Sequence, residues 1–376
     1  MLRGDSVPSF KHDRVTPAQI IILGFLLLIF TGAVLLMLPF STQEPGGASF
    51  GDALFTATSA TCVTGLVLHD TALYWSPFGQ LVILLLIQVG GMGVVTIAVA
   101  IFMFAGKRIG LKQRWVMQES ISAPQVGGIV RMTGFILKTA FLIEGIGALL
   151  LALRFCPQFG LGRGLWYAVF HSVSAFCNAG FDLMGVNSPF SSLTDYVGDP
   201  LVSNVIAFLI IIGGVGFLTW NDIREHKLHF RRYRLQSKLI LTTTLALILT
   251  GLLFFLLYEF EQGQWVDMSL WERINAAFFQ SVTPRTAGFN TVDLTGLSQP
   301  AQLLIILLML VGGSPGSTAG GFKTTTLAVM LLGIRAVFRH KERPQCFGRR
   351  IADESIRNAS AIFLLYLLLF LTGGIL

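Results

Sequence analysis

Charge is what this sequence has least of. Only 12% of its 376 residues are Asp, Glu, Lys or Arg, about half the share that clothes an ordinary water-soluble domain. A soluble globular enzyme or binding module is thereby excluded, because too little polar surface remains to keep a globule hydrated. Cysteine is scarce as well. Cys62, Cys156, Cys177 and Cys346 share no CxxC spacing and fall at different depths of the hydropathy profile, so neither a disulfide framework nor a zinc site is indicated. Acids are nearly missing from the apolar segments, where Glu144 stands alone, and this counts against a proton-coupled antiporter with a relay of carboxylates. Glu144 itself is open to two readings, a functional carboxylate or a buried partner for an amide or basic group. His69 and His171 lack metal-ligand spacing, and no nucleophile, base and orienter set suggests an intramembrane enzyme.

What is present is apolar. Hydrophobic residues make up 53% of the chain and the mean hydropathy is +0.70, the composition of an integral membrane protein. Seven segments are long and apolar enough to cross a bilayer: 18–38, 77–105, 133–153, 201–220, 239–258, 301–332 and 358–376. The first is too long for a signal h-region and is expected to be retained. The net charge of +7 is distributed by topology and does not indicate a nucleic-acid partner. Of the 27 Lys and Arg residues, 22 fall in the N-terminal segment and in the loops after spans two, four and six, which places those parts on the cytoplasmic side. Four basic residues (Arg154, Arg163, Arg273 and Arg285) fall outside and Lys323 lies within a span, whereas 11 of the 20 carboxylates lie on the outer segments. A negative outer surface of that kind concentrates cations at its mouth.

Three apolar stretches are too short to cross, at 53–68, 166–181 and 274–289, and each is read as re-entrant. Aligned on Gly65, Gly180 and Gly288, all three carry Phe ten residues earlier (Phe55, Phe170, Phe278) and Ala twelve earlier (Ala53, Ala168, Ala276). The spans that follow repeat a second signal: Gly90-Gly91-Met92-Gly93, Gly213-Gly214-Val215-Gly216, and Gly312-Gly313-Ser314-Pro315-Gly316. The repeating unit is therefore span, re-entrant segment, span. This divides the chain into a cytoplasmic segment 1–17, repeat one at 18–106, a linker 107–127, repeat two at 128–223, a basic linker 224–235, repeat three at 236–338, a basic linker 339–354, and at 355–376 the first helix of a fourth repeat. A fourth glycine is due at about residue 398 on a repeat length of about 110, so the chain is expected to be cut short.

Irregular backbone survives at membrane depth only where protein or a water-filled path surrounds it. A short helix that enters from outside and ends at the midplane aims its partly negative end at the centre, which favours a cation. Carbonyls of the returning chain can then replace an ion's hydration shell, with glycine permitting the positive φ this requires. The expected filter residues are Thr61, Cys62, Val63, Thr64 and Gly65; Phe176, Cys177, Asn178, Ala179 and Gly180; and Pro284, Arg285, Thr286, Ala287 and Gly288. The sixth span is interrupted by Gly312, Gly313, Ser314, Pro315, Gly316, Ser317, Thr318, Ala319, Gly320 and Gly321, through which no helix continues cheaply. It is expected to form an intramembrane gate, with Lys323 either snorkelling to the cytosol or lining the pore entrance. A phosphate-binding P-loop is the rival reading, but Phe322 displaces the lysine by one position and the flanks are apolar. The basic inner loops, Arg231-Arg232-Tyr233-Arg234 and 335–350 above all, fit anchoring on anionic lipid or docking of a cytosolic regulator.

The stretches TATSATCVTGL, HSVSAFCNAGF, QSVTPRTAGFNT and GGSPGSTAGGFKTTT resemble the first three pore loops and the third inner helix of the Trk, Ktr and HKT superfamily of potassium and sodium transporters, on its Ktr branch, and the resemblance covers nearly the whole chain. It implies an all-α membrane fold of span, pore-loop, span units around one central cation pore, with three complete repeats and the first helix of a fourth in this chain. It further implies a homodimer in a bacterial plasma membrane, a cytosolic ring of RCK-type nucleotide-binding regulatory subunits, and potassium uptake that often depends on sodium as activator. No tightly bound cofactor and no resident metal are expected beyond the transported potassium, and the nucleotide belongs to the cytosolic partner. In some plant members a serine at the first filter glycine accompanies sodium selectivity; Gly65 here favours potassium. A coupled sodium and potassium carrier and a non-conducting fragment are the competing expectations.

Overall fold

The computed structural model describes residues 16–104, 109–121, 127–259, 262–341 and 344–375. The basic residues Arg3, Lys11, Arg14, Lys107, Arg108 and Arg343, used above to orient the chain, lie outside the described residues, as does Glu261.

The described residues are mostly helical, and the helices recur in a fixed order. Repeat one contains α1 (Pro17–Leu36), the short α2 (Phe50–Thr61), one turn α3 (Thr71–Tyr74), then α4 (Pro77–Met92) and α5 (Val94–Phe104). A connecting helix α6 (Leu111–Ser120) leads to repeat two, with α7 (Ile129–Phe159), the short α8 (Leu161–Phe176), α9 (Pro200–Val215) and α10 (Phe217–His226). Repeat three has α11 (Leu235–Phe254), continued by a π-helical turn Phe255–Glu259, then the short α12 (Leu270–Val282), α13 (Gln299–Leu310) and α14 (Thr324–Phe338). A two-residue hairpin, β1 (Gln345–Cys346) against β2 (Arg349–Arg350), precedes α15 (Asp353–Ile375). Helices α1, α7, α11 with its π turn, and α15 are long and apolar enough to span a membrane.

The second spans of repeats one and two depart from the expected straight crossing. The apolar runs at 77–105 and 201–220 are bent, α4 to α5 by 98° and α9 to α10 by 94°. The bends fall at Gly93 and Gly216, with φ of +84° and +95°, conformations a side chain rarely adopts. In repeat three the interruption is longer, and residues 311–323 separate α13 from α14. The breaks in repeats one and two follow the Gly-Gly pair that recurs in the sequence and the break in repeat three contains it, so what reads as one hydropathy segment is a half-helix of 16 residues in repeats one and two, about 24 Å long, followed by a turned second half.

The N-terminal start of each of these half-helices is built alike. Ser76, Asp199 and Ser298 cap α4, α9 and α13 through side-chain oxygens that accept from the first-turn amides, and Pro77, Pro200 and Pro300 occupy the first helical positions, where no N–H is needed. Buried Glu259 holds the third cap from behind, accepting from the Ser298 amide at 2.9 Å and from its hydroxyl at 2.5 Å. The core is aliphatic and aromatic around the short helices, and Ala53, Ala168 and Ala276, the alanines common to the repeats, are each fully buried. They lie on the faces of the short helices turned into the protein; the equivalent phenylalanines are not uniform, with Phe170 buried and Phe55 37% exposed.

Candidate functional site

The three short helices converge on three loops that touch one another. At each loop two residues adopt positive φ: the filter glycine (Gly65 +80°, Gly180 +73°, Gly288 +87°) and the residue two before it (Val63 +49°, Asn178 +57°, Thr286 +64°). Three unrelated side chains held left-handed at the same offset are not a property of local sequence, because Val and Thr disfavour that region. An alternation of this kind is the backbone pattern that can turn successive carbonyls toward one side of a chain, as a ladder of oxygens requires.

The glycines are also mutual neighbours. A β-carbon on Gly65 would stand 2.6 Å from the Ala179 carbonyl oxygen and 3.4 Å from the Gly180 Cα; one on Gly180 would stand 2.4 Å from the Ala287 oxygen and 3.0 Å from the Gly288 Cα. Residues 115 and 108 positions apart in sequence are thus brought edge to edge, with room for hydrogen and nothing larger. Behind each loop one hydroxyl of the short helix, or of its cap, holds the carbonyl just past the glycine. Ser59 donates to Leu66, Ser174 to Phe181 and Thr283 to Phe289, at 2.7, 2.7 and 2.5 Å. The third clamp sits one residue closer to its glycine than the other two, which hides the correspondence in the sequence.

Not every residue expected at the filter lies on the ladder. Thr61 and Phe176 are the last residues of α2 and α8, and Cys62 and Cys177 cap them. Cys177 is buried, Cys62 is exposed, and Thr64, Ala179 and Ala287 immediately precede the glycines. Pro284 lies in the turn after α12. Arg285, counted above among the outer basic residues, is buried, and its Nη2 reaches the Gly312 carbonyl at 3.3 Å and Thr244 Oγ1 at 3.5 Å. A sequence count assigns charges by loop, whereas this side chain turns back along the protein interior.

The paired glycines explain themselves by contact. A β-carbon on Gly90 would lie 2.0 Å from the Thr61 carbonyl oxygen, and one on Gly213 would lie 2.0 Å from that of Phe176. The half-helices therefore press directly on the ends of the short helices, and only glycine permits the approach.

Beneath the loops runs the interrupted segment of repeat three. Within it, Gly312 N–H donates to Phe322 and Gly313 N–H to Gly320 (3.0 and 3.1 Å). It also crosses to repeat two: Ser314 N–H donates to the Gly214 carbonyl at 2.9 Å, Thr318 N–H to that of Gly213 at 3.3 Å, and Phe217 N–H to Gly316 at 2.7 Å. The Thr318 hydroxyl reaches the loop itself, with the Phe176 carbonyl at 2.9 Å and Asn178 Oδ1 at 3.1 Å. Pro315 and Ser317 complete the turn, Gly316 lies against Ile121 of the α6 end, and Gly321 lies against Thr286 of the third loop. Ala319 is buried, and Lys323 Nζ donates to its carbonyl at 2.9 Å and to that of Gly320 at 3.4 Å. Lys323 is therefore a tether within the segment it follows.

The polar residues left open by sequence have partners here. Glu144 accepts from Gln88 Nε2 at 3.0 and 3.3 Å, the amide partner of its second reading. His171 uses both ring nitrogens, one against the Tyr167 carbonyl at 2.7 Å and the other against the Leu183 amide at 3.3 Å. His69 stacks on Tyr74 and lies 3.3 Å from Asp52. Above the second loop, burial, with Asp70 nearby, raises the Asp182 carboxyl to about 6, and the Met184 amide at 3.0 Å offsets part of that rise. Sequence reasoning did not single out Asp182 for the site, although its position two residues past Gly180 was a signal.

Residues 7–375 match the family model TrkH, described as a cation transport protein. The potassium/sodium uptake protein NtpJ of Enterococcus hirae is 41% identical over 94% of this chain and 77% of its own length. The Ktr system potassium uptake protein B of Bacillus subtilis is 42% identical over 96% of this chain and 80% of its own. Among solved structures, the crystal structure of the potassium transporter TrkH from Vibrio parahaemolyticus superposes with a TM-score of 0.72 over 96% of this chain and 72% of that one, at 19% identity. Shared fold, a family match over nearly every residue, and relatives above 40% identity lead to one conclusion: this chain belongs to the TrkH family of cation transport proteins, membrane transporters and not enzymes.

Proposed function

We propose that this protein is the pore-forming membrane subunit of a bacterial potassium uptake system. The observation that carries the reading is the meeting of Gly65, Gly180 and Gly288, each two residues after a left-handed neighbour, at the ends of three re-entrant helices. Carbonyl oxygens of loops anchored from behind by hydroxyl clamps act as a preorganised substitute for water around a cation, and no reacting group is needed for passive permeation down the electrochemical gradient. The segment 312–323 acts as the gate, blocking the path below the filter while Thr318 is bonded to the second loop. Potassium is the favoured ion because Gly65 leaves the first wall free of a side chain and because the Bacillus relative is named for potassium uptake, while the Enterococcus relative is named for potassium and sodium. A homodimer in the plasma membrane follows from the family resemblance, an N-terminus on the inside follows from the Lys and Arg distribution, and the word "system" in the Bacillus protein's name supports a second component, read here as a cytosolic nucleotide-binding ring. Sodium is the proposed activator.

The test is rubidium uptake by proteoliposomes containing the protein, with potassium or sodium as competitor and with sodium present or absent. Fast uptake blocked by potassium at far lower concentration than by sodium is the expected result, and Thr318→Val should speed it. Slow, saturable uptake with an absolute sodium requirement would replace the channel-like reading with a coupled carrier, and equal competition by the two ions would overturn the filter assignment.

A further inference from the structure

One cavity is lined by none of the loop residues. It has a volume of about 830 Å³ and opens where α5, α6, α7 and α10 meet, at the level that the charge distribution marks as cytoplasmic. Four cations, Arg114, Arg131, Lys138 and Arg224, line it, and no carboxylate does. Among the described residues none of the four has an ion-pair partner, whereas nearby Asp222 is engaged by Arg234 at 3.4 Å. Four like charges around one hollow repel each other unless an anion enters.

The hollow is amphipathic along its length. One face of α7 runs through Arg131, Phe135, Lys138, Thr139 and Leu142, all of them lining residues at helical spacing. Over about 16 Å that face passes from guanidinium to ammonium to a leucine that is 63% exposed on the membrane side. Met103 continues the apolar end from α5. Arg224 is held over the Phe135 ring, 4.7 Å from its centroid, so the ring positions this cation within the cavity. The first amides of α7 add donors, since Gly128 caps that helix without a side chain.

We propose that this cleft is a binding site for an anionic phospholipid of the cytoplasmic leaflet, its phosphate among the four cations and the start of an acyl chain along Phe135, Leu142 and Met103. A free phosphate would satisfy the charges but not the apolar half, and an acidic protein segment would not enter toward the hydrocarbon level. The inference is independent of the ion-conduction reading, resting only on membrane orientation and the cleft, and it is tested without transport.

Native mass spectrometry of the whole chain, released from micelles containing equal phosphatidylglycerol and phosphatidylcholine, reads the preference directly. Phosphatidylglycerol should be retained over phosphatidylcholine, and the double variant Arg131→Gln, Lys138→Gln should reduce that preference by about tenfold or more. A second variant, Gly134→Leu, keeps every charge and fills the cleft from its wall, where a β-carbon would already stand 3.5 Å from Met103 Cε; it should displace the lipid while the helix gains propensity. Equal retention of the two lipids, or unchanged preference in both variants, overturns the proposal. Release of phosphatidylglycerol by millimolar inorganic phosphate overturns it in favour of a soluble anion, and release by a polyglutamate peptide overturns it in favour of an acidic protein partner.

Discussion

Substituting serine at the loop glycines should loosen ion discrimination in a graded order that the geometry sets. At Gly65 the new β-carbon meets the Ala179 oxygen at 2.6 Å, and ordinary contact begins at 3.4 Å, so that carbonyl must retreat by about 0.8 Å. The backbone must also hold a side chain at φ +80°, at a cost of about 1–2 kcal/mol. Relaxation of the loops is the only release for that strain, so it bounds the change in relative ion affinity at about five- to thirtyfold. At Gly180 two neighbours are crowded, the Ala287 oxygen at 2.4 Å and the Gly288 Cα at 3.0 Å, and the effect should be larger. At Gly288 the nearest atom is 3.3 Å away and the effect should be least. The assay is the ratio of potassium to sodium concentrations that half-block rubidium uptake, measured on protein that elutes as a single species. Gly348→Ser is the control, with φ +74° and no atom within 4 Å of the added carbon: it carries the same backbone strain away from the loops. A ratio unchanged within twofold in Gly180→Ser, or one altered equally by Gly348→Ser, would refute the reasoning.

Ser174→Ala removes the donor to the buried Phe181 carbonyl and should cost about 1–3 kcal/mol of stability, read as a lower midpoint of thermal unfolding in detergent. Gly213→Ala puts a carbon 2.0 Å from the Phe176 oxygen and should abolish folded protein, while Gly145→Ala, with nothing within 4 Å, should be tolerated or slightly stabilising; expression and gel filtration separate the two. The Asp182 carboxyl, raised to about 6, is a costly anion in the folded protein. Its destabilising contribution is therefore present at pH 7.5 and fades as pH falls through about 6. Uptake should fall over the same outer pH window as the outer mouth loses a negative charge, and Asp182→Asn should flatten both profiles; a wild-type pH dependence in that variant would assign the titration elsewhere.

Much of this arrangement could be read from the sequence because re-entrant segments are defined by length and repetition, which survive without coordinates. The three glycines, the alanines twelve residues before them and the Gly-Gly pairs marked the elements that now meet. The bends at Gly93 and Gly216 could not be read, since hydropathy sums over a window and is blind to a 90° turn between two apolar halves. The clamps at Ser59, Ser174 and Thr283 escaped because the third is offset by one residue, and any alignment fixed on the glycine misses it. Asn178 was placed by position alone; that its side chain lies within 3.1 Å of Thr318, 140 residues away, is a fact of tertiary packing. Arg285 shows the opposite error, in which a charge was located by its loop when its side chain points into the interior.

The breaks in repeats two and three complete each other. Ending α9 at Gly216 leaves the Gly213 and Gly214 carbonyls without a helical successor, and the amides of Ser314 and Thr318, freed by the interruption after α13, take them up. Each defect alone would leave buried backbone groups unpaired; together they form a seam across the repeat boundary. The two motifs are thus a single heritable unit. A change in the glycine pair of one repeat alters the fit of a segment a hundred residues later, so chimeras that exchange a whole repeat between relatives should fail at this boundary unless both halves of the seam travel together.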